Sequence, residues 1–129
     1  MRELLAPAIP AEHIMSDRLR VWMVDGDGMA PDLRSRRDYV MIAPCDRYSG
    51  GGVYLVDWGC GPTLYRVQFV GGGKSIRMYF DNPLYRHGEA EGGNYFTVDE
   101  FNEMVLGFVV ADVKVRHAHM LREAVEGRR

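Results

Sequence analysis

The sequence predicts a mainly β fold, and three observations lead to this class. Short runs of apolar and β-branched residues recur along the chain, and Gly- or Pro-rich turns separate them. The helical patterns are few and short. Hydrophobic residues make up 47% of the 129 residues, which is enough for the packed core of one domain. We therefore expect one domain of short strands, with short helices at the termini.

The predicted strands follow one another along most of the chain. Apolar runs bounded by turn residues predict strands at 20–24, 38–43, 53–58, 64–70 and 75–80. The last two runs flank Gly71-Gly72-Gly73, so we expect them to form a hairpin. The apolar and β-branched stretch at 104–115 predicts one long or broken strand.

Two helical segments are predicted near the C-terminal end. Thr97, with Glu100 three residues later, fits a capping box and predicts a helical turn. Ala118, Leu121 and Val125 recur at helical spacing and predict a small amphipathic helix within a helical tail at 116–129.

The N-terminal residues predict an arm that precedes the domain. Residues 1–15 are rich in Ala and Pro, and Pro10 suits the first position of a short helix at 11–15. The short apolar patch in this segment is broken by prolines and acidic residues, so it makes a poor signal peptide. The domain itself is predicted at 16–115.

Composition and charge favour a cytoplasmic protein that binds neither a membrane nor nucleic acid directly. The net charge is −2, so no general basic excess points to a nucleic-acid partner. No apolar run approaches the roughly 18 residues of a membrane span. The local run of Arg34, Arg36 and Arg37 reads as a solvated loop, with a phosphate site as the alternative.

Six segments carry motifs in a fixed order. Residues 26–33 read Gly-Asp-Gly-Met-Ala-Pro-Asp-Leu, and the other five are 37–40 (RDYV), 52–56 (GVYLV), 65–68 (YRVQ), 80–85 (FDNPLY) and 105–110 (VLGFVV). Together they resemble the motifs of the LexA and phage-repressor family of self-cleaving serine peptidases. The resemblance covers about residues 16 to 113. It implies a LexA/signal-peptidase-like complex β fold, with a motif loop that contains Gly26, Asp27, Gly28, Met29 and Pro31.

The same resemblance implies that the peptidase chemistry is lost. The family uses a Ser nucleophile and a neutral Lys base within hydrogen-bond reach of each other. Gly28 stands where the family has the Ser, and it carries no hydroxyl. Tyr65 stands where the family has the Lys, or Arg66 does if the alignment shifts by one residue. Arginine stays protonated, and a tyrosine with a pKa near 10 is a poor base, so we expect a pseudo-peptidase.

The residues upstream of Gly28 also lack the family's other functional parts. They contain no Ala-Gly bond of the kind that family members cut, and no helix-turn-helix that reads operator DNA. We therefore expect neither self-cleavage nor direct DNA binding from this sequence.

Other patterns in the chain have plain structural interpretations. Gly71 to Ser75 ends like a phosphate-binding loop, but Gln68 replaces the required first glycine, so a hairpin turn is favoured. His117 and His119 lack a third ligand, so the sequence predicts no metal site and no cofactor. Asp25 and Asp27 are two carboxylates close enough in sequence for acid–base work, although the motif favours hydrogen bonds within a tight loop.

These observations lead to a non-catalytic, repressor-like regulatory domain as the expected function. The resemblance implies a homodimer, or pairing with a full-length repressor that the chain would antagonise. A homodimeric peptide-binding module that uses the vacated cleft is the alternative, and an enzyme based on Cys45 or Cys60 is a third. The best candidate for a dimer surface is the closing apolar strand, through Val105, Phe108, Val109, Val110 and Val113. A buried core strand is the alternative for that segment.

Overall fold

Seven strands form one antiparallel sheet in the computed structural model, which describes residues 18–72, 74–85 and 93–127. The strands of the described residues are β1 (Arg20–Met23), β2 (Tyr39–Pro44), β3 (Gly52–Asp57), β4 (Pro62–Phe69), β5 (Ile76–Tyr79), β6 (Asn94–Phe96) and β7 (Val105–Val113). Helix α1 (Val98–Met104) lies between β6 and β7, and helix α2 (Ala118–Glu126) follows β7. The predicted mainly β class is confirmed.

The order of strands across the sheet is β1-β2-β7-β3-β4-β5-β6. The predicted hairpin is the β4–β5 pair, in which Phe69 lies opposite Ile76. The capping box is also confirmed, because the Thr97 hydroxyl accepts from the Glu100 N–H at 3.0 Å and the Glu100 carboxylate accepts from the Thr97 N–H at 2.9 Å. This cap starts α1 at the predicted helical turn.

One strand was not predicted from the sequence, and one predicted segment lies outside the described residues. Strand β6 was not predicted, because its three residues are too short to show an alternating pattern. The predicted N-terminal arm and the helix at 11–15 lie outside the described residues. The predicted C-terminal helix is present as α2, which ends at Gly127 in a left-handed conformation.

The core consists of two clusters on opposite faces of the sheet. Neighbouring side chains of a strand point to opposite faces, so Leu55 of β3 joins one cluster while Tyr54 and Val56 join the other. The first cluster includes residues of the loop that follows β1, and the second includes Phe101 of α1. The loop and the helix therefore cover opposite faces of the sheet.

Strand β7 is a central strand that carries two bulges. It pairs with β2 on one side and with β3 on the other. The register skips Leu106 opposite β3 and Val110 opposite β2, so each is an extra residue without a paired partner. These two side chains are 42% and 51% exposed, whereas Val105 in the same strand is buried. The two bulge residues are therefore exposed apolar side chains on an interior strand of the sheet.

Candidate functional site

The motif loop (residues 24–33) is anchored by three buried apolar side chains. Val24, Met29 and Leu33 are 1%, 2% and 6% exposed and belong to the first core cluster. Within the loop, the Ala30 N–H donates to the Asp27 carbonyl at 3.1 Å, and the peptide bond between Ala30 and Pro31 is cis. The loop backbone is therefore held in one position over the sheet.

Gly26 provides the sharp turn at the start of this loop. Its φ of 99° lies in the left-handed region, which favours glycine. Its N–H donates to the Ser35 hydroxyl at 2.8 Å. This arrangement presents the backbone of the next residues toward the 80–85 segment, which follows β5.

Asn82 joins the 80–85 segment to the motif loop. Its backbone N–H donates to the Gly28 carbonyl, and its side-chain amide donates to the Asp27 carbonyl, both at 2.8 Å. Asn82 is 7% exposed, so these bonds satisfy a buried polar group. Two motifs that the sequence analysis treated separately therefore form one site, in which Asn82 is a positioning residue.

The Asp27 carboxylate has a different partner from the one expected. The sequence suggested backbone hydrogen bonds within the loop, but Oδ1 of Asp27 accepts from the Tyr85 hydroxyl at 2.5 Å. The bond and the nearby negative charge raise the pKa of Tyr85. Asp25 lies 3.9 Å from the Arg36 guanidinium and is well exposed. The two carboxylates therefore point to different partners and do not form an acid–base pair.

The aromatic ring of Phe80 covers Gly28. A Cβ atom placed on Gly28 would lie 2.4 Å from Cδ1 and 2.7 Å from Cε1 of Phe80, well inside van der Waals contact. The motif at 80–85 was predicted from the sequence, but the role of Phe80 was not. Its signal was visible in the sequence, since Phe80 stands where the resembled family has a small Ser.

Neither residue at the base position can accept a proton readily. The Tyr65 ring stacks on Phe80 with 4.8 Å between ring centroids, and burial raises the pKa of Tyr65. The Arg66 guanidinium donates to both carboxylate oxygens of Asp81, at 3.1 and 2.7 Å. This bidentate pair raises the pKa of Arg66. Gly28 therefore provides no hydroxyl, and neither Tyr65 nor Arg66 provides a neutral amine.

A pocket of about 200 Å³ lies beside the rings of Phe80 and Tyr85. Val24, Met29 and Leu64 contribute apolar walls, and Phe80 and Tyr85 close one side. Its volume is below the roughly 300 Å³ at which pockets begin to enclose drug-sized ligands. The pocket is therefore suited to a single side chain.

The edge of β4 next to this pocket has no strand partner among the described residues. Strand β4 pairs with β5 only through residues 66–69, because the chain leaves the sheet after Tyr79 and crosses to the motif loop. Residues 62–65 pair with β3 on their other side. Thr63 and Leu64 in this stretch also line the pocket.

The structure separates the residues proposed for a dimer surface. Val105 is buried, and Phe108 and Val109 pack against the two core clusters. Val110 is the exposed member, while Val113 at the end of β7 is partly buried. The exposed apolar surface of β7 thus centres on Val110 and on Leu106, which was not among the candidates.

The remaining cationic and histidine candidates have local structural partners. Arg34 pairs with Asp38 at 3.2 Å within its own loop. His117 caps α2 by accepting from the Met120 N–H, and His119 lies 2.9 Å from Glu123. Within residues 18–72, 74–85 and 93–127, no group of three His, Cys, Asp or Glu side chains could hold a metal ion.

The two cysteines and the glycine-rich turn lie in different local environments. Burial raises the pKa of Cys45, which disfavours the reactive thiolate, and Cys60 is exposed in a turn. The turn after Val70 leads into strand β5 rather than into the helix that a phosphate-binding loop requires. No helix in the described part of the chain is long and apolar enough to cross a membrane.

Sequence comparison with known proteins gives no family assignment for this chain. No family model matches it, and no curated protein matches it. The functional interpretation therefore depends on the geometry of the motif loop, the 80–85 segment and the β4 edge.

Proposed function

We propose that this chain is a non-catalytic regulatory domain of the LexA and phage-repressor type, which acts by protein association in the cytoplasm. The contact between Phe80 and Gly28 is the observation that carries the proposal. A lost nucleophile alone leaves an open cleft, but here an aromatic ring occupies the space into which a side chain at position 28 would project. The site therefore favours binding over cutting.

The partners of this domain would be a second copy or a full-length repressor. Dimeric repressors read two operator half-sites at a fixed spacing, so they need two DNA-reading domains held in register. A mixed dimer of this domain and a repressor would contain only one of the repressor's own DNA-reading domains, which contacts a single half-site. The chain would then act as an antagonist of the repressor.

Operator binding by a full-length repressor from the same genome tests this proposal. Fluorescence anisotropy of labelled operator DNA would be measured while the chain is added at increasing concentration. We expect the operator affinity to fall at least tenfold as mixed dimers form. Unchanged affinity at a large molar excess of the chain would contradict antagonism.

A variant of the two exposed bulge residues of β7 tests whether this strand forms the dimer surface. Leu106→Lys with Val110→Lys places two charges on the proposed surface without altering Val105 in the core. Phe69→Lys is the control, because Phe69 is 57% exposed and lies on β4 at the far end of the β4–β5 hairpin. Light scattering after size exclusion should show a monomer for the double variant and a dimer for the control. A double variant that remains dimeric would place the interface elsewhere.

A peptide-binding module is the second candidate, and the unpaired edge of β4 favours it. An extended segment can add to a free sheet edge through main-chain hydrogen bonds, while adjacent pockets select its side chains. Residues 62–65 offer such an edge next to a pocket of about 200 Å³. One apolar side chain of a partner segment would enter the pocket while its backbone pairs with β4.

Native mass spectrometry of the chain purified from its own cells tests this second function. We expect a bound peptide mass that disappears in Thr63→Arg, whose longer side chain would extend into the pocket that Thr63 lines. Val70→Arg is the control, since Val70 is exposed and follows the other end of β4. A peptide that binds both variants equally would exclude this edge as its site.

A further inference from the structure

The end of the 80–85 segment closes one side of the pocket with little buried apolar surface. After Asn82, Pro83–Tyr85 form a single 3-10 turn. Leu84 and Tyr85 in this turn are 68% and 49% exposed. Inside the turn, the Leu84 N–H donates to Oδ1 of Asn82 and the Tyr85 N–H donates to the Asn82 carbonyl, both at 3.0 Å. Toward the motif loop, the Tyr85 hydroxyl donates to Asp27 at 2.5 Å, and the Tyr85 ring centroid lies 5.3 Å from that of Phe80.

The start of the same segment is attached much more firmly. Phe80 packs between Gly28 and the Tyr65 ring, and Asn82 is buried with two hydrogen bonds to the motif loop. Removing a buried, hydrogen-bonded amide such as Asn82 from its partners is costly. The buried Asn82 is therefore the anchor of an exposed turn, and the two amide hydrogen bonds from Leu84 and Tyr85 to Asn82 must break if the turn detaches.

We propose that the Pro83–Tyr85 turn is a lid on the pocket, and that the hydrogen bond from Tyr85 to Asp27 keeps this lid closed. Release of the Leu84 and Tyr85 amides from Asn82 lets the turn move away, which removes the Tyr85 wall and exposes the apolar surface formed by Val24, Met29 and Leu64. This lid belongs to the chain alone and does not depend on pairing with a repressor.

Lid opening also changes the chemistry at the mouth of the pocket. In the closed form the Asp27 carboxylate accepts from Tyr85, and in the open form it is available to an N–H donor or a cationic group of a ligand. The open pocket therefore fits a peptide in which an apolar side chain lies next to an amide or ammonium donor. Such a donor competes directly with the Tyr85 hydroxyl for Asp27.

Hydrogen exchange measured by mass spectrometry tests the lid in the full chain. Tyr85→Phe keeps the ring but removes the hydroxyl, and the amides of Leu84 and Tyr85 should then exchange roughly three- to tenfold faster. Tyr79→Phe is the matched control, because it removes one tyrosine hydroxyl bond, to Gln68 on the neighbouring strand. In this control, exchange at Leu84 and Tyr85 should stay at the wild-type rate.

The neutral apolar dye Nile red, which is larger than the closed pocket and reports newly exposed apolar surface, provides an independent measurement of lid opening. We expect several-fold higher dye fluorescence with Tyr85→Phe than with the wild type or Tyr79→Phe, because the apolar walls become accessible. Wild-type exchange rates and dye fluorescence in Tyr85→Phe would overturn the proposal. Faster exchange spread over β3 and β7 would overturn it too, since it would report global destabilisation in place of a local opening.

Discussion

The contact between Gly28 and Phe80 makes a quantitative prediction about stability. Gly28 is not among the glycines with positive φ, so alanine can adopt its backbone conformation and the effect of Gly28→Ala is purely steric. The new methyl carbon would lie 2.4 Å from Cδ1 of Phe80. The ring cannot move away freely, because Tyr65 stacks on it and Tyr85 packs against it. Overpacking of this kind costs about 1–3 kcal/mol in the free energy of unfolding.

A second substitution reverses the expected sign. Phe80→Ala removes the obstructing ring, so Gly28→Ala in that background should be neutral or stabilising by up to about 1 kcal/mol, because alanine restricts the unfolded chain. The two backgrounds thus differ by about 1–4 kcal/mol, which is the coupling free energy between positions 28 and 80. Urea unfolding of the four proteins, followed by the fluorescence of the two tryptophans, of which Trp22 packs against the first core cluster, measures this value.

Gly51→Ala is the control for the intrinsic effect of the substitution. A Cβ atom on Gly51 would lie 3.6 Å from the Val67 carbonyl oxygen, an ordinary contact, and Gly51 also lacks a positive φ. Its stability should be within about 1 kcal/mol of the wild type. If Gly28→Ala is as stable as Gly51→Ala and shows no coupling to Phe80, the ring does not occupy the position-28 space and the steric account is wrong.

Two further predictions concern the loops and caps that support the site. Arg34 donates to Asp38 from its side chain and its backbone, and these bonds lower the pKa of Asp38 in the folded protein. The resulting stabilisation is present above the unfolded-state pKa of about 3.9 and is lost as the pH falls through the lower folded-state pKa. Urea unfolding at a series of pH values should show a smaller loss of stability on acidification for Asp38→Asn than for the wild type, and parallel curves would contradict this linkage. Thr97→Ala should lower the free energy of unfolding by about 1 kcal/mol, because it removes the N-cap of α1. Thr63→Ala is the control, because the Thr63 hydroxyl is not a helix cap, and it should lower the free energy of unfolding less. Equal losses in the two variants would show that the cap is not the cause.

The strands with clear local patterns could be predicted from the sequence. Runs such as 53–58 and 64–70 differ from β3 and β4 only at their ends, because apolar runs between glycine-rich turns specify strands locally. The capping box of Thr97 is likewise a local signal that the structure reproduces.

The order of the strands and the contacts of the site depend on residues far apart in the chain. The central position of β7 follows from pairing with β2 and β3, so no pattern within 104–115 could show whether this strand lies at an edge. The bulges at Leu106 and Val110 likewise arise from the register with those neighbours. Phe80 reaches Gly28 only because β5 ends at Tyr79 and the chain crosses to the motif loop.

Native mass spectrometry of the chain mixed with a full-length repressor of the proposed type, whose own Ser nucleophile is replaced by Ala, tests the central claim most directly, because it reports association and cleavage together. The account predicts a complex whose mass equals the sum of the two intact chains, with no fragment of either after prolonged incubation. The absence of any complex, or the appearance of fragments of the chain or its partner, would contradict a domain that binds without cutting.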